Sequence, residues 1–209
     1  PTQTALETEM AYLEKGEAAL VLASGMAAAT TAVLTCCRTG EHIVAGDTLY
    51  GGTHQLFTQT LPRLGIEVSL VDMSDIEAVA AALRDNTRLV HCETPVNPIG
   101  RLTDLSAVTR LAHDAGALVS CDATFASPLG QDSAGLGVDL VQFLGQLDGA
   151  AGDLQARRRL REQQRPLGQL LVLLLGVVAV VQAHGDDLRG QDDGRQQRGL
   201  VDGEVRRRQ

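Results

Sequence analysis

The 209-residue sequence predicts an α/β protein over residues 1–141, a mostly parallel sheet with helices on both faces, followed by an irregular tail over 142–209. Three observations predict it. Short apolar runs such as His42-Ile-Val-Ala45 and Glu67-Val-Ser-Leu-Val71 alternate with segments of helical periodicity, and strand and helix at that spacing call for parallel pairing. The loops after the strands carry glycine, proline and lone polar residues, as the ligand-facing edge of such a sheet does. From residue 142 onward the amino-acid vocabulary changes abruptly.

Taken in order, residues 4–15 place Leu6, Met10 and Leu13 at spacings of four and three, an amphipathic helix that ends near Gly16. Ala18-Ala-Leu-Val-Leu22 follows as a short buried strand, and 27–37, rich in Ala and Thr, as a helix. Residues 42–45 form the next strand, 52–61 a helix, and 67–71 a strand. A helix over 74–83 opens with Ser74 and has Glu77 three residues on, the capping-box pattern. Arg88-Leu-Val-His-Cys92 is a strand, and 104–113 a helix capped by Asp104 and closed by Gly116. Leu118-Val-Ser-Cys121 is a strand that runs straight into a carboxylate, Asp122.

Composition narrows the function classes. A net charge of −8 and a pI near 5.0 argue against nucleic acid or an anionic membrane as partner, since both select basic faces. A small anion stays open, because backbone amides at a helix start hold one locally. Cys36, Cys37, Cys92 and Cys121 form no CxxC pair and sit inside regular elements, which reads as reduced thiols in a cytoplasmic protein without a metal site. Pro1-Thr-Gln-Thr has no basic or apolar leader, and without a Met the chain is expected to start within a domain.

Four loops after strands present groups for a ligand, and each has a plainer reading. Ser24-Gly-Met26 joins a strand to a helix, either as a phosphate cradle or as an ordinary connection. Tyr50, beside Gly51 and Gly52, either stacks on a ring or covers the sheet end. Asn97, held between Pro95 and Pro98, either donates to a ligand or makes a turn. Asp122 either meets a cation or caps the next loop, for a buried carboxylate is costly without a partner.

In order and spacing, Ser24-Gly-Met26, Leu49-Tyr-Gly-Gly-Thr53, Glu93-Thr-Pro-Val-Asn-Pro98 and Val119-Ser-Cys-Asp-Ala-Thr-Phe-Ala-Ser-Pro128 resemble the pyridoxal-phosphate enzymes of cysteine and methionine metabolism. That family includes cystathionine γ-synthase, cystathionine γ-lyase, methionine γ-lyase and the O-acylhomoserine sulfhydrylases. The resemblance implies a fold-type I, aspartate-aminotransferase-like large domain, here partial, over residues 1–141. It implies pyridoxal 5′-phosphate as cofactor, with Gly25 and Met26 giving amides to its phosphate and Tyr50 stacked on its ring. Asn97 would reach the ring hydroxyl, and Asp122, with Thr124 beside it, would pair with the ring N–H. Tyr50 would also be the proton carrier at the substrate γ-position. The substrate class is sulfur-bearing or O-acylated amino acids, and the assembly a cytoplasmic homotetramer. Two departures stand inside the motifs: Ala123 replaces the family's usual Asn, and Gly52 stands where methionine γ-lyases commonly carry Cys.

The likeness stops after Gly137-Val-Asp-Leu-Val141. A His-Ser-x-Thr-Lys-Tyr stretch with the Schiff-base lysine is expected there, and the sequence reads Gln142-Phe-Leu-Gly-Gln-Leu-Asp148 instead. Lys15, on the first helix, is the only lysine in the chain and reads as a solvated charge. Residues 142–209 contain no Ser, Thr, Tyr, Lys, Ile, Asn, Met or Cys, but hold eleven of the seventeen Arg and eleven of the fifteen Gln. That composition predicts a non-homologous, low-complexity tail, disordered or translated in a wrong frame. Within it, Leu170–Val181 is twelve apolar residues, too few to span a membrane, and reads as a buried helix, a strand or an aggregation-prone segment. The chain as written is therefore expected to be inactive, a trans-sulfuration enzyme by descent that at most binds the cofactor non-covalently.

Overall fold

A computed structural model of the chain describes residues 2–146 and 174–180. Among the described residues seven strands form one sheet: β1 (Ala18–Leu22), β2 (His42–Gly46), β3 (Glu67–Val71), β4 (Thr87–Glu93), β5 (Leu118–Asp122), β6 (Leu140–Gln146) and β7 (Leu174–Val180). Their order across the sheet is β1-β7-β6-β5-β4-β2-β3. From β3 to β6 every neighbouring pair is parallel, and β7 runs antiparallel to both β1 and β6. The mostly parallel sheet expected from the alternating pattern is thus present.

Helices cover both faces because the buried strands are apolar on both sides. On one face Val44, Val90, Val119 and Val141 pack with Met10, Val79 and Val108, which come from α1 (Thr2–Leu13), α5 (Ile76–Ala82) and α6 (Leu105–Asp114). On the other, Ile43, Ala45, Leu89 and Leu140 pack with Ala28, Ala29 and Val33 of α2 (Gly25–Cys36) and with Leu56, Phe57 and Leu61. Phe57 also stacks on the buried His91 ring, with centroids 5.0 Å apart.

The helix expected over 52–61 is built from three pieces: α3 (Gly51–Gln55), a wider π turn over Leu56–Thr60, and α4 (Leu61–Arg63). Pro62 is the reason. It has no N–H to donate and its ring crowds the preceding turn, and the Leu61 N–H reaches back five residues to the Leu56 carbonyl. A short α7 (Ser127–Gly130) follows β5.

Two helices differ in how well the sequence foretold their ends. Asp104 caps α6 as expected, its Oδ1 accepting from Ala107 N at 3.0 Å. Gly116, at φ 75°, closes that helix: Gly116 N donates to His113 O and Ala117 N to Ala112 O, the paired bonds that a left-handed residue makes possible. The cap of α5, by contrast, is Asp75 rather than Ser74. Asp75 Oδ1 accepts from Glu77 N and Ala78 N, while the Ser74 hydroxyl and amide both donate to Asp72 Oδ1.

At the other end, β6 crosses the expected boundary at 141 and continues to Gln146. Leu174–Val180, left between helix, strand and aggregation-prone segment by its sequence, is a strand paired on both sides. The expectation of an irregular tail falls, for 147–173 and 181–209, outside the described residues. No helix among the described residues is long and apolar enough to cross a membrane.

Candidate cofactor-binding site

The carboxyl ends of the parallel strands lie along one edge of the sheet, and the chain leaves that edge through the loops singled out by sequence. β1 ends at Leu22 and turns through Ser24 into α2, where the Ser24 hydroxyl oxygen accepts from Ala27 N at 3.1 Å. Gly25, which is buried, and Met26 supply the first two N–H groups of that twelve-residue helix, and such groups have no acceptor within their own helix.

Met26 and Tyr50 meet at Gly52. A Cβ on Gly52 would stand 2.8 Å from Met26 Sδ and 2.9 Å from Tyr50 Cε1, so the close approach of these two side chains depends on a missing one. Thr53 completes the contact, its hydroxyl 3.9 Å from Met26 Sδ. Tyr50 is the cap residue of α3 and is 42% exposed, with its backbone N–H pointing inward to a carboxylate.

That carboxylate is Glu93, the last residue of β4. Its Oε2 accepts from Tyr50 N at 2.7 Å and its Oε1 from Asn97 N at 2.9 Å, so one side chain joins the loops that carry both residues. Glu93 pairs in register with Asp122 on β5, and Asp122 with Gln142 on β6. Three adjacent strands therefore present Glu93 and Asp122, at the ends of β4 and β5, and Gln142, within β6, in a row on one face, each buried: 7%, 7% and 3% exposed.

Electrostatics follow from that burial. Removal from water pushes the Asp122 carboxyl above its ordinary value, opposed by the Thr124 hydroxyl at 2.5 Å and the Thr124 amide at 3.0 Å, both donating to Oδ1. Burial likewise raises Glu93; its two backbone donors pull the other way and the nearby Asp122 adds to the rise. Gln142 Nε2 has no hydrogen-bond partner among the described residues, and neither has the buried His91 Nε2, whose ring lies below Glu93 on the same strand and donates to or accepts from Ser120 Oγ at 2.8 Å.

The structure therefore brings together Met26 with Tyr50, Tyr50 with Asn97 through Glu93, and Asp122 with Thr124, all on one edge. Lys15 lies elsewhere: just past α1, its Nζ pairs with Asp132 Oδ2 at 2.5 Å and both side chains are exposed. Sequence reasoning missed Glu93 and Gln142. Glu93 carried the same signal that singled out Asp122, an acid at the end of an apolar strand, but it was overshadowed by the prolines behind it. Gln142 fell just past the change in composition.

The family model described as Cys/Met metabolism PLP-dependent enzyme matches residues 1–143. A probable cystathionine gamma-synthase of Herpetosiphon aurantiacus is 45% identical over 141 residues, covering 68% of this chain and 44% of that protein. An L-methionine gamma-lyase of Fusobacterium nucleatum is 42% identical over 175 residues, or 80% of this chain and 44% of that protein. Among solved structures, metB from Corynebacterium glutamicum superposes with a TM-score of 0.73 at 33% identity, covering 87% of this chain and 43% of that one. An O-acetylhomoserine sulfhydrylase of Wolinella succinogenes gives 0.72 at 32%, covering 86% and 47%. The chain spans less than half the length of each of these relatives.

Proposed function

The chain belongs to the family of PLP-dependent enzymes of cysteine and methionine metabolism, and from that premise we propose that residues 1–141 are part of a domain that holds pyridoxal 5′-phosphate for trans-sulfuration chemistry. The reaction class is β- or γ-elimination, or γ-replacement, on sulfur-bearing or O-acylated amino acids, in a cytoplasmic homotetramer. The observation that carries this reading is the buried Asp122 carboxyl at the ends of parallel strands, on the same edge as Tyr50 and Asn97. A carboxyl raised by burial is relieved by a cation beside it, and a protonated pyridine nitrogen is such a cation.

The residues present fit the cofactor's three ends. Gly25 and Met26 offer amides at the start of a long helix for a phosphate, Tyr50 a ring face, and Asn97 an amide for the ring hydroxyl. Thr124 holds Asp122 through Oδ1. Bound there, pyridoxal phosphate supplies an electron sink for a carbanion at the substrate α-carbon. Asp122 keeps a proton on the ring nitrogen, and Tyr50 Oη stands as the group that carries a proton at the substrate γ-position.

One element of that chemistry has no residue in this sequence. Lys15 is the only lysine, and it is engaged in an exposed ion pair with Asp132. Without an amine at the site there is neither a covalent tether nor a base for the α-proton. We therefore read the chain by itself as a non-covalent binder without turnover.

An absorbance titration with pyridoxal phosphate, followed by borohydride reduction and peptide mapping, tests both parts. Saturable binding is expected, weakened about tenfold or more by Asp122→Ala, the scale of losing one charge-assisted contact. Equal affinity in that variant would remove the ring-binding role. Because Lys15 is the only lysine, a stoichiometric, saturable reduced adduct on Lys15 that is lost in Lys15→Arg would overturn the reading of a non-covalent binder.

A further inference from the structure

We infer that Glu93 is the positioning residue of this site, the single carboxylate that sets the Tyr50 loop and the Asn97 loop in one frame. The inference rests on the cofactor reading above and adds to it a residue that this reading gives neither to the ring nor to the phosphate.

The two loops come from different strands, and each oxygen of Glu93 serves one of them. Oε2 takes the N–H of Tyr50, forty-three residues earlier, and Oε1 the N–H of Asn97, four residues later. Both contacts are charge-assisted and nearly out of water, conditions under which such bonds are strong and directional. The donors are the backbone amides of the two residues, so the carboxylate fixes where each side chain starts.

The rest of the structure leaves Glu93 no other role of comparable fit. Each carboxylate oxygen already accepts a backbone amide, and the side chain is 7% exposed, so it is poorly placed to take a proton from a substrate. A second tie acts from outside the edge: Arg101 donates to Asp47 Oδ1, Thr48 Oγ1 and Asp72 Oδ2, joining the loops after β2, β3 and β4 at the solvent side. Glu93 is the inner counterpart of that clamp, closer to Asp122.

Pre-set loops bind better than loops that must be ordered on binding, because the ordering entropy has already been spent. Removing the clamp should therefore weaken cofactor binding without unfolding the sheet. Two variants separate the possibilities. Glu93→Gln retains one carbonyl oxygen and cannot accept through its NH2, so one of the two amides loses its acceptor. Glu93→Ala strips both.

The test combines pyridoxal phosphate titration with site-resolved amide hydrogen exchange of the cofactor-free chain. For Glu93→Gln we expect about tenfold weaker binding and lost protection at Tyr50 or Asn97. For Glu93→Ala we expect about a hundredfold, and lost protection at both. The Val119 amide, held on Asp139 Oδ2 across the sheet, should stay protected in each variant. Unchanged affinity in Glu93→Gln, or unchanged exchange at both loop amides, overturns the inference. So does loss of Val119 protection in step with the loop amides, which would make Glu93 a brace of the whole sheet. If the unmodified chain binds no pyridoxal phosphate, the cofactor reading fails, and the exchange arm alone decides whether the clamp exists.

Discussion

Glu14, just past the end of α1, is 3% exposed, and its Oε1 has no hydrogen-bond partner among the described residues. Burial, with a further push from the nearby Asp132 charge, raises its carboxyl to about 7. A carboxyl raised in the folded state takes up protons on folding, so its contribution is fully present below the unfolded value of 4.5 and is lost as pH rises through about 7. Across that window the arithmetic gives about 3 kcal/mol. Urea midpoints measured from pH 4.5 to 8 should fall more steeply for the unmodified chain than for Glu14→Gln, which keeps the shape and cannot ionise. Parallel curves would show that Glu14 finds a partner in solution. At this same scale, the sequence singles out Asp122 and passes over Glu93, although both end apolar strands. An acid at the end of an apolar strand is visible from residue type and position alone. A clamp exists only once the loops after β2 and β4 are side by side, and the sheet order that puts them there is a tertiary fact.

Elements were more legible than their ends. Strands β2 to β5 and helices α2, α5 and α6 follow from apolar runs and periodicity, since burial on both faces of a parallel sheet leaves little freedom in where such runs go. The start of α5 shows the limit. Ser74 with Glu77 matches a capping box, but two acids compete for the same turn: Asp72 draws the Ser74 hydroxyl at 2.6 Å, and Asp75 is left to cap the helix. Which of neighbouring Asp and Ser residues caps a helix depends on the entry angle of the chain, which no local pattern records. The structure predicts that Asp75→Ala lowers stability by about 1 kcal/mol, the usual cost of a lost cap. Ser74→Ala should cost less than half of that, because Ser74 satisfies no helical amide. Chemical denaturation of the two variants side by side checks the order, and a larger loss from Ser74→Ala would restore the capping box.

The whole molecule turns on β7, the antiparallel strand that joins β1 to the parallel block. Its own sequence could not settle what it is, for twelve consecutive apolar residues fit helix and strand equally and show no alternation. Its surroundings decide: β1 and β6 each present an unpaired edge, and an open apolar edge is a liability that a further strand removes. Composition told the other way, because a vocabulary of Arg, Gln, Gly and Asp around 142–209 reads as low complexity, and the division at 141 follows from that together with the end of the family likeness. Val178 separates the two readings. It pairs with Leu20 of β1 and Gln142 of β6, so whichever way its N–H points, a neighbouring strand is there to accept. Val178→Pro removes that donor and thrusts a ring into a strand flanked on both sides, where proline is not tolerated, and the expected loss is about 3 kcal/mol or more. Val178→Ala, which leaves the donor in place, serves as the control for the side chain. If β7 holds the sheet together, only the proline variant should also lower protection of the β1 amides, since among the described residues β1 has no other strand beside it. A proline variant with the same urea midpoint as the alanine one would instead mean that residues 1–146 stand without β7.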